Sequence, residues 1–259
     1  MYFIEVIINM KSSATECPTP KKNLIMEFIG SGNSTSPELG NSSAALTFPN
    51  EKILSIDFGF TAYNAFKSRY NKLPDYIYIT HMHLDHIGGL QSLFYDAYFS
   101  EKKIIKLFTH HSQISTLHKI MGDLESIAAG EAVNFYDTFQ LIPVGDTFWL
   151  ESMKFNVFES RHHSPKFCHG LALKGRFLFT GDTKAIPETI ASIASQGEVI
   201  FHDISLFNQP SHMTLHELSQ YPKNILDRLM FYHLDSCSDS ETLKEKGLLC
   251  VKNGVMYQV

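Results

Sequence analysis

From residue 24 onward the chain is patterned as short apolar runs broken by turn residues rather than as long amphipathic stripes. Residues 24–29 predict a strand, and the Gly/Ser/Asn/Pro-rich stretch 30–43 predicts a loop. Residues 44–48 and 53–57 read as a strand pair around Pro49-Asn50-Glu51, followed by a helix over Ala62–Tyr70. The run 76–80, YIYIT, is β-branched and aromatic, the composition of a short buried strand. A helix is expected over 88–99, a strand over 104–108 and a helix over 112–121. Short strands are expected at 132–135, 147–150, 154–159, 170–173 and 176–180. A helix at 187–194, a strand at 199–203, a helix at 214–221 and a strand at 229–233 complete the pattern. Strands in series with helices between them predict a layered α/β protein.

The length of 259 residues fits one large domain or two small ones. The expected division is an N-terminal extension or linker over 1–23 and a single domain over 24–259. With 44% hydrophobic and 19% charged residues the chain is of ordinary globular composition, which excludes disordered, collagenous and coiled-coil classes. A formal charge of −5 argues against a protein that grips nucleic acid by its backbone. No run approaches the ~20 apolar residues needed to cross a bilayer, so no membrane association is expected. The apolar start, MYFIEVIINM, contains Glu5, lacks a positive lead-in and runs into a polar stretch with Pro18 and Pro20. It does not read as a signal peptide, and a strand, an extension or an upstream start remain open. Cys17, Cys168, Cys237 and Cys250 show no CxxC spacing and are expected as reduced thiols in the cytoplasm.

Thirteen histidines are many for this length, and their placement carries the chemistry. His81-Met82-His83-Leu84-Asp85-His86 sets four ligand-type side chains within six residues, directly after the YIYIT strand. Metal sites need imidazoles and carboxylates converging on one point, and one tight loop supplies them here, in a composition that suits two ions. The HxHxDH pattern resembles the defining motif of the metallo-β-lactamase-fold hydrolases. The resemblance covers roughly 24–236 and implies an αββα sandwich, two mixed sheets with helices on the outer faces. It also implies two divalent ions, Zn²⁺ or Mn²⁺. His81, His83 and His162 would hold the first, and Asp85, His86 and His233 the second. Asp182 of the Gly181-Asp182-Thr183 turn would bridge them. In relatives the remaining histidine often stands about eight residues before a Gly on the next strand; by that resemblance Gly170 picks His162, with the adjacent His163 as the alternative. Asp57 matches an aspartate that orients the site from beneath, and Asn41-Ser42-Ser43 resembles the loop leading to it. His110, His111, His118, His169 and His216 are expected in structural or surface roles.

The branch of the superfamily is read from further residues. Relatives that hydrolyse β-lactams usually carry Cys where Asp182 stands. His202-Asp203-Ile204-Ser205 and Ser211-His212-Met213-Thr214 resemble the His-Glu-Ala-Thr and His-Ser-Thr pair of RNase Z and its phosphodiesterase relatives. By that resemblance His212 is the general acid and Asp203, standing where relatives have Glu, its partner. Asp85, His212 and Asp203 form the expected catalytic set, Asp85 doubling as a ligand. A helix cap at Ser211 with a surface His212 is the plainer alternative. Only about twenty residues separate His163 from Asp182, too few for the tRNA-holding arm of RNase Z. The expected activity is therefore hydrolysis of a small phosphodiester, a cyclic nucleotide, to a linear monophosphate by water activated between two metals. The partner is then a small molecule and not a nucleic acid. Phe167 or residues around Phe207 are candidates for contacting the base. Hydrolysis of a lactone or thioester, single-strand nuclease action, and a catalytically inert metal sensor are the competing readings. Relatives often dimerise, so a homodimer is expected.

Overall fold

The computed structural model describes residues 23–122, 133–163, 168–195, 197–207 and 209–259. Two sheets are stacked face to face. The first has seven strands: β1 (Ile25–Gly30), β2 (Ser43–Thr47), β3 (Ile53–Ile56), β4 (Tyr76–Ile79), β5 (Ile105–His110), β6 (Phe139–Val144) and β13 (Met256–Gln258), in the order β13-β1-β2-β3-β4-β5-β6. The second has six: β7 (Thr147–Leu150), β8 (Met153–Ser160), β9 (Cys168–Leu173), β10 (Phe177–Phe179), β11 (Val199–Asp203) and β12 (Leu229–Tyr232), in the order β12-β11-β10-β9-β8-β7. Each sheet is mixed: β3 to β6 run parallel, as do β10 to β12, and the remaining pairs are antiparallel.

The central strands of both sheets are buried on two faces, and this is why they read as continuous apolar runs rather than alternating ones, while β7 at an edge alternates. β3, β4 and β9 are buried at every position. Between the sheets lies an aromatic core including Phe28, Phe48, Tyr78, Phe155, Phe179, Phe201 and Tyr232. Each such ring, fully buried, contributes about 1.5–3 kcal/mol. On the outer face of the first sheet, α1 (Ala62–Tyr70), α3 (Leu90–Tyr95) and α4 (Ile114–Met121) lay Phe66, Leu90, Leu93, Phe94 and Leu117 onto Ile77, Ile79 and Leu107. On the outer face of the second, α5 (Pro187–Ile193), α6 (Lys223–Leu226) and α7 (Cys237–Glu245) bring Ile190, Ile225 and Leu243 onto Ile200 and Phe231. The layers are thus helix, sheet, sheet, helix, the expected αββα sandwich.

Several elements depart from the sequence-based expectation. The strand expected at 132–135 is not one in its described part: Asn134 caps a 3-10 turn, Phe135–Asp137, through a reciprocal pair with Asp137. The strand lies further on, in β6, whose Pro143 would argue against a strand interior; β6 is the sheet edge, where a missing N–H costs nothing. The helix expected at 88–99 divides into α3 and a wider π turn, Asp96–Glu101. The helix expected at 214–221 is the 3-10 segment Leu215–Gln220. α7 and β13 have no counterpart in the expectation. β13 closes the far edge of the first sheet against β1, pairing Ile25 with Gln258.

The parallel strands share a direction, so their carboxyl ends collect at one rim. Asp57 follows β3, His81 follows β4, Asp182 follows β10, Asp203 ends β11 and His233 follows β12. Open α/β sheets bind ligands at this rim.

Candidate metal centre and active site

The turn after β4 is built around a buried carboxylate. Asp57, fully enclosed, accepts from the Thr80 amide at 2.8 Å and from the Thr80 hydroxyl at 2.8 Å. It also accepts the Nδ1–H of His86 at 2.8 Å. Burial pushes the Asp57 carboxyl up, while His86 and the Thr80 donors pull the other way. Asp57 itself has φ +60°, a left-handed backbone that costs a non-glycine residue and is held only by such contacts. The next turn, α2 (Leu84–Ile87), is zipped to the same segment: the Phe58 amide donates to the His86 carbonyl at 2.7 Å and the Gly89 amide to the Phe58 carbonyl at 3.0 Å. Gly59 is obligatory there, because a Cβ would stand 1.9 Å from the Asp85 carbonyl oxygen.

Around this turn the seven expected ligands converge. His81, His83, His162 and Asp182 present ligand atoms all within 4.8 Å of one another, as do Asp85, His86 and His233. Asp182 lies between the two groups. Its Oδ2 is 3.6 Å from His81 Nε2, 3.7 Å from His162 Nε2, 3.3 Å from His86 Nε2 and 3.2 Å from His233 Nε2. His162, not His163, joins the first group. The Nδ1 of His162 bonds the Ser211 carbonyl at 3.0 Å, which aims Nε2 inward to 3.1 Å from His83 Nδ1, whereas His163 is exposed outside the cluster. Asp57 aims the Nε2 of His86 inward in the same way. A ligating histidine fixed through its second nitrogen is the usual support of a metal site.

The donor set fits divalent cations. His86 Nε2, His233 Nε2 and Asp182 Oδ1 are buried without a hydrogen-bond partner, although buried polar atoms are nearly always satisfied. Burial, with the neighbouring imidazole of His162, holds His83 down at about 4, which favours the neutral imidazole that metal ligation requires. Burial opposes the ionised Asp85, yet His86 and His233 bring it down to about 2. Burial works likewise against an ionised Asp182, and the imidazoles of His233, His86 and His81 outweigh it. Burial disfavours a charged His86, but Asp182, Asp85 and Asp57 push it well up, the field of a site built for cations.

Beside this cluster stands a second pair. His212 Nδ1 is 2.8 Å from Asp203 Oδ2, which also accepts the Thr183 amide at 2.9 Å. The short side chain of Asp203 is thus long enough to reach His212 directly. The His212 ring stacks on His233, centroids 4.8 Å apart and planes at 17°. Burial alone would lower its pKa; the carboxylate of Asp203 and the bond to it push His212 up to about 9. His202, by contrast, is structural. Its ring bridges the Asp203 carbonyl at 2.6 Å and the Tyr221 hydroxyl at 2.7 Å, behind the strand.

The other histidines take structural or surface positions. His110 caps the 3-10 turn His111–Gln113. Buried His169 stacks on His110 at 3.8 Å and bonds Gln113, whose amide also donates to the Thr80 carbonyl at 2.8 Å. His118 is exposed on α4 and His216 lies in the 3-10 segment. Phe167 and Cys17 lie outside the described residues, and Phe207 is 61% exposed on the loop that precedes His212. Cys168, Cys237 and Cys250 are free thiols. Among the described residues no helix is long and apolar enough to cross a membrane. Gly59 carries no motif of its own, and although Thr80, Thr183 and Ser211 stand in stretches the sequence singles out, nothing in the sequence pointed to the contacts they make here.

The family sequence model described as "Anti-Pycsar protein Apyc1" matches residues 24–257. This chain belongs to the Apyc1 family. Its relatives include the anti-Pycsar protein Apyc1 of Paenibacillus harenae, 24% identical over 221 residues (83% of this chain and 91% of that one). The Apyc1 of Bacillus phage BSP38 is 26% identical over 232 residues, 80% of this chain and 88% of that one. Among solved structures, a diphosphatase of the PhnP family superposes with a TM-score of 0.73 at 17% identity, covering 92% of this chain and 97% of that one. The Bacillus subtilis metallo-β-lactamase-fold protein YhfI also gives 0.73, at 13% identity, covering 92% and 100%. Human tRNase Z, short form, gives 0.67 at 18%, covering 91% and 99%. At these identities the structures establish the fold, so this Apyc1 family member has the metallo-β-lactamase fold.

Proposed function

We propose that this protein is a metal-dependent phosphodiesterase that opens a cyclic nucleotide to a linear monophosphate. The observation that carries the reading is the Asp203–His212 pair, bonded at 2.8 Å and stacked against His233 at the edge of the ligand cluster. Membership of the Apyc1 family supports the cyclic-nucleotide form of the substrate. His81, His83 and His162 would hold one divalent cation, Asp85, His86 and His233 a second, and Asp182 both. Nitrogen and carboxylate donors of this kind suit Zn²⁺ or Mn²⁺. When bound, such cations lower the pKa of water at the site and offset the phosphate charge.

The chain's own residues supply the rest. His212 is an imidazolium at neutral pH, since Asp203 sustains its charge against burial. With Nδ1–H committed to Asp203, its Nε2–H is the free donor. As a water oxygen adds to phosphorus and the ring P–O bond breaks, Nε2–H gives its proton to the departing ribose oxygen. That oxygen is a poor leaving group as an alkoxide, so the donor is worth ~10²–10⁴ in rate. Asp203 stays ionised and keeps the ring oriented. Asp57 and the Ser211 carbonyl keep His86 and His162 aimed inward. The small-molecule substrate is met by one copy of the chain or by a homodimer, which sedimentation of the purified protein distinguishes.

The test is a hydrolysis screen of Mn²⁺- or Zn²⁺-loaded protein on 3′,5′- and 2′,3′-cyclic nucleotides, bis(p-nitrophenyl) phosphate, an acyl-homoserine lactone and a short single-stranded RNA. Opening of a cyclic nucleotide, slowed ~10²–10⁴-fold by His212→Ala with both metals retained, is the expected result. Activity on the lactone or the RNA alone would overturn the reading.

A further inference from the structure

Asp235 stands two residues beyond His233 and plays no part in the ligand cluster, yet it ties together three separate loops. Its Oδ1 accepts the side-chain amide of Asn33 at 2.6 Å, and its Oδ2 accepts the Ser205 hydroxyl at 3.0 Å. The orientation of the Asn33 amide is not arbitrary. Its Oδ1 accepts from the Thr35 amide at 2.9 Å and from the Thr35 hydroxyl at 3.0 Å, so its NH₂ must face Asp235. The backbone follows the same seam. The Asn33 amide donates to the Leu234 carbonyl at 3.0 Å and the Leu234 amide to the Ser31 carbonyl at 3.0 Å.

Ser205 is the link to the proposed acid. It lies two residues beyond Asp203, its amide donates to the Met213 carbonyl at 2.8 Å, and it bridges to Thr214. Met213 is fully buried. The segment that carries His212 is therefore pinned at its return end to Ser205, and Ser205 is pinned to Asp235. His233, on which the His212 ring stacks, has φ +66° and needs the chain just beyond it held.

We propose that Asp235 is a positioning residue: through Ser205 it sets where His212 stands relative to Asp203 and His233, with Asn33 anchoring the other carboxylate oxygen. The inference rests on the phosphodiesterase reading above and on His212 as its acid. A donor displaced by about 1 Å loses on the order of 10²-fold in rate. The loss falls on the step that uses the proton. It is large when the leaving group is a ribose alkoxide and small when it is p-nitrophenolate, which departs without help.

The experiment compares kcat and KM of Mn²⁺-loaded wild type, Asp235→Ala, Asp235→Asn, Ser205→Ala and His212→Ala on a 3′,5′-cyclic nucleotide and on bis(p-nitrophenyl) phosphate. Proton NMR of the metal-free proteins follows the downfield imidazole N–H that His212→Ala removes. Asp235→Ala and Ser205→Ala should lose ~10–100-fold in kcat on the cyclic nucleotide, several-fold or less on the nitrophenyl ester, with KM little changed. Their downfield N–H should broaden or shift. Asp235→Asn should stay near wild type on both, because its oxygen still accepts from Asn33 and the Ser205 hydroxyl can accept as well as donate. Equal losses on the two substrates, or an unmoved N–H signal in Asp235→Ala, would overturn the positioning role while leaving the enzyme's activity standing. A His212→Ala enzyme that loses equally on both would overturn it too, by removing the acid it acts through. No cyclic-nucleotide opening by wild type would instead sink the functional reading, a result visible before any variant is made.

Discussion

Replacing Asp57 by asparagine keeps the volume and one acceptor but inverts the bond to His86. In the native site Asp57 takes three donors: the Thr80 amide, the Thr80 hydroxyl and His86 Nδ1–H, each at 2.8 Å. In the Asp57→Asn variant the side-chain oxygen can keep the Thr80 amide. The new NH₂ then faces His86 Nδ1, and two donors cannot share that contact. The ring escapes by changing tautomer, which moves its proton to Nε2, the nitrogen that lies 3.3 Å from Asp182. A protonated Nε2 cannot bind a cation. The second ligand group, Asp85, His86 and His233, is thereby crippled, while His81, His83 and His162 are held by other contacts. Loss of such a supporting residue costs ~10–100-fold in metal affinity, about 1.4–2.8 kcal/mol. Metal titration by calorimetry, with bound metal counted after dialysis against buffered free Zn²⁺, should show one site of native affinity and one weakened. Two sites of native affinity would refute the reasoning, as would loss of both together, which would mean the turn had collapsed. Asp57→Ala is the harsher comparison. It strands the His86 and Thr80 donors in a fully enclosed place, at about 1–3 kcal/mol of stability each, and should lower the melting temperature of the metal-free protein where Asp57→Asn does so less.

Asp182→Ala should abolish turnover and remove at least one equivalent of bound metal, counted by elemental analysis; normal turnover with full metal content would contradict a carboxylate shared by both groups. Gly59→Ala forces a methyl to within 1.9 Å of the Asp85 carbonyl, so α2 must shift, and both metal content and kcat should fall several-fold or more while far-ultraviolet circular dichroism stays native. Buried Glu198 accepts from the Gly175 amide at 2.7 Å and the Ser195 hydroxyl at 2.7 Å, and faces Arg228. Burial opposes its charge, but the Ser195 hydroxyl and the amides of Gly175 and Ser195 overcome it and hold its carboxyl below the usual value. A depressed carboxyl stabilises the fold above the unfolded glutamate pKa and loses that contribution as pH falls through the folded one. Glu198→Gln should thus cost about 1–3 kcal/mol at pH 7, and its melting temperature should converge on wild type as pH falls below the ordinary glutamate range; a gap independent of pH would refute the charge-based account.

Much of the site was legible because it is local. His81, His83, Asp85 and His86 share one turn after a buried strand, and a six-residue motif needs no tertiary information to converge. Asp57, Asp182, Asp203, His212 and His233 were found as single residues at strand ends or in short motifs, and a family resemblance assigned their roles. The fold class was legible from runs of apolar residues, because strands buried on both faces leave no alternation to misread. The errors fall where edges and caps override composition. The edge strand at 139–144 had no counterpart in the expectation, and Asn134 turned an apolar run into a 3-10 turn. The family resemblance picked His162 by its distance to Gly170 but left His163 open, since the two are adjacent and chemically identical. The choice is made by the Ser211 carbonyl, 49 residues away, which captures one ring and turns it inward. The same holds for Gly59 under Asp85 and for Asn33 against Asp235, 202 residues apart. Ligand identity is a property of side-chain chemistry and short-range order. Ligand orientation depends on which distant backbone groups the sheet registers bring alongside, and no local pattern encodes that.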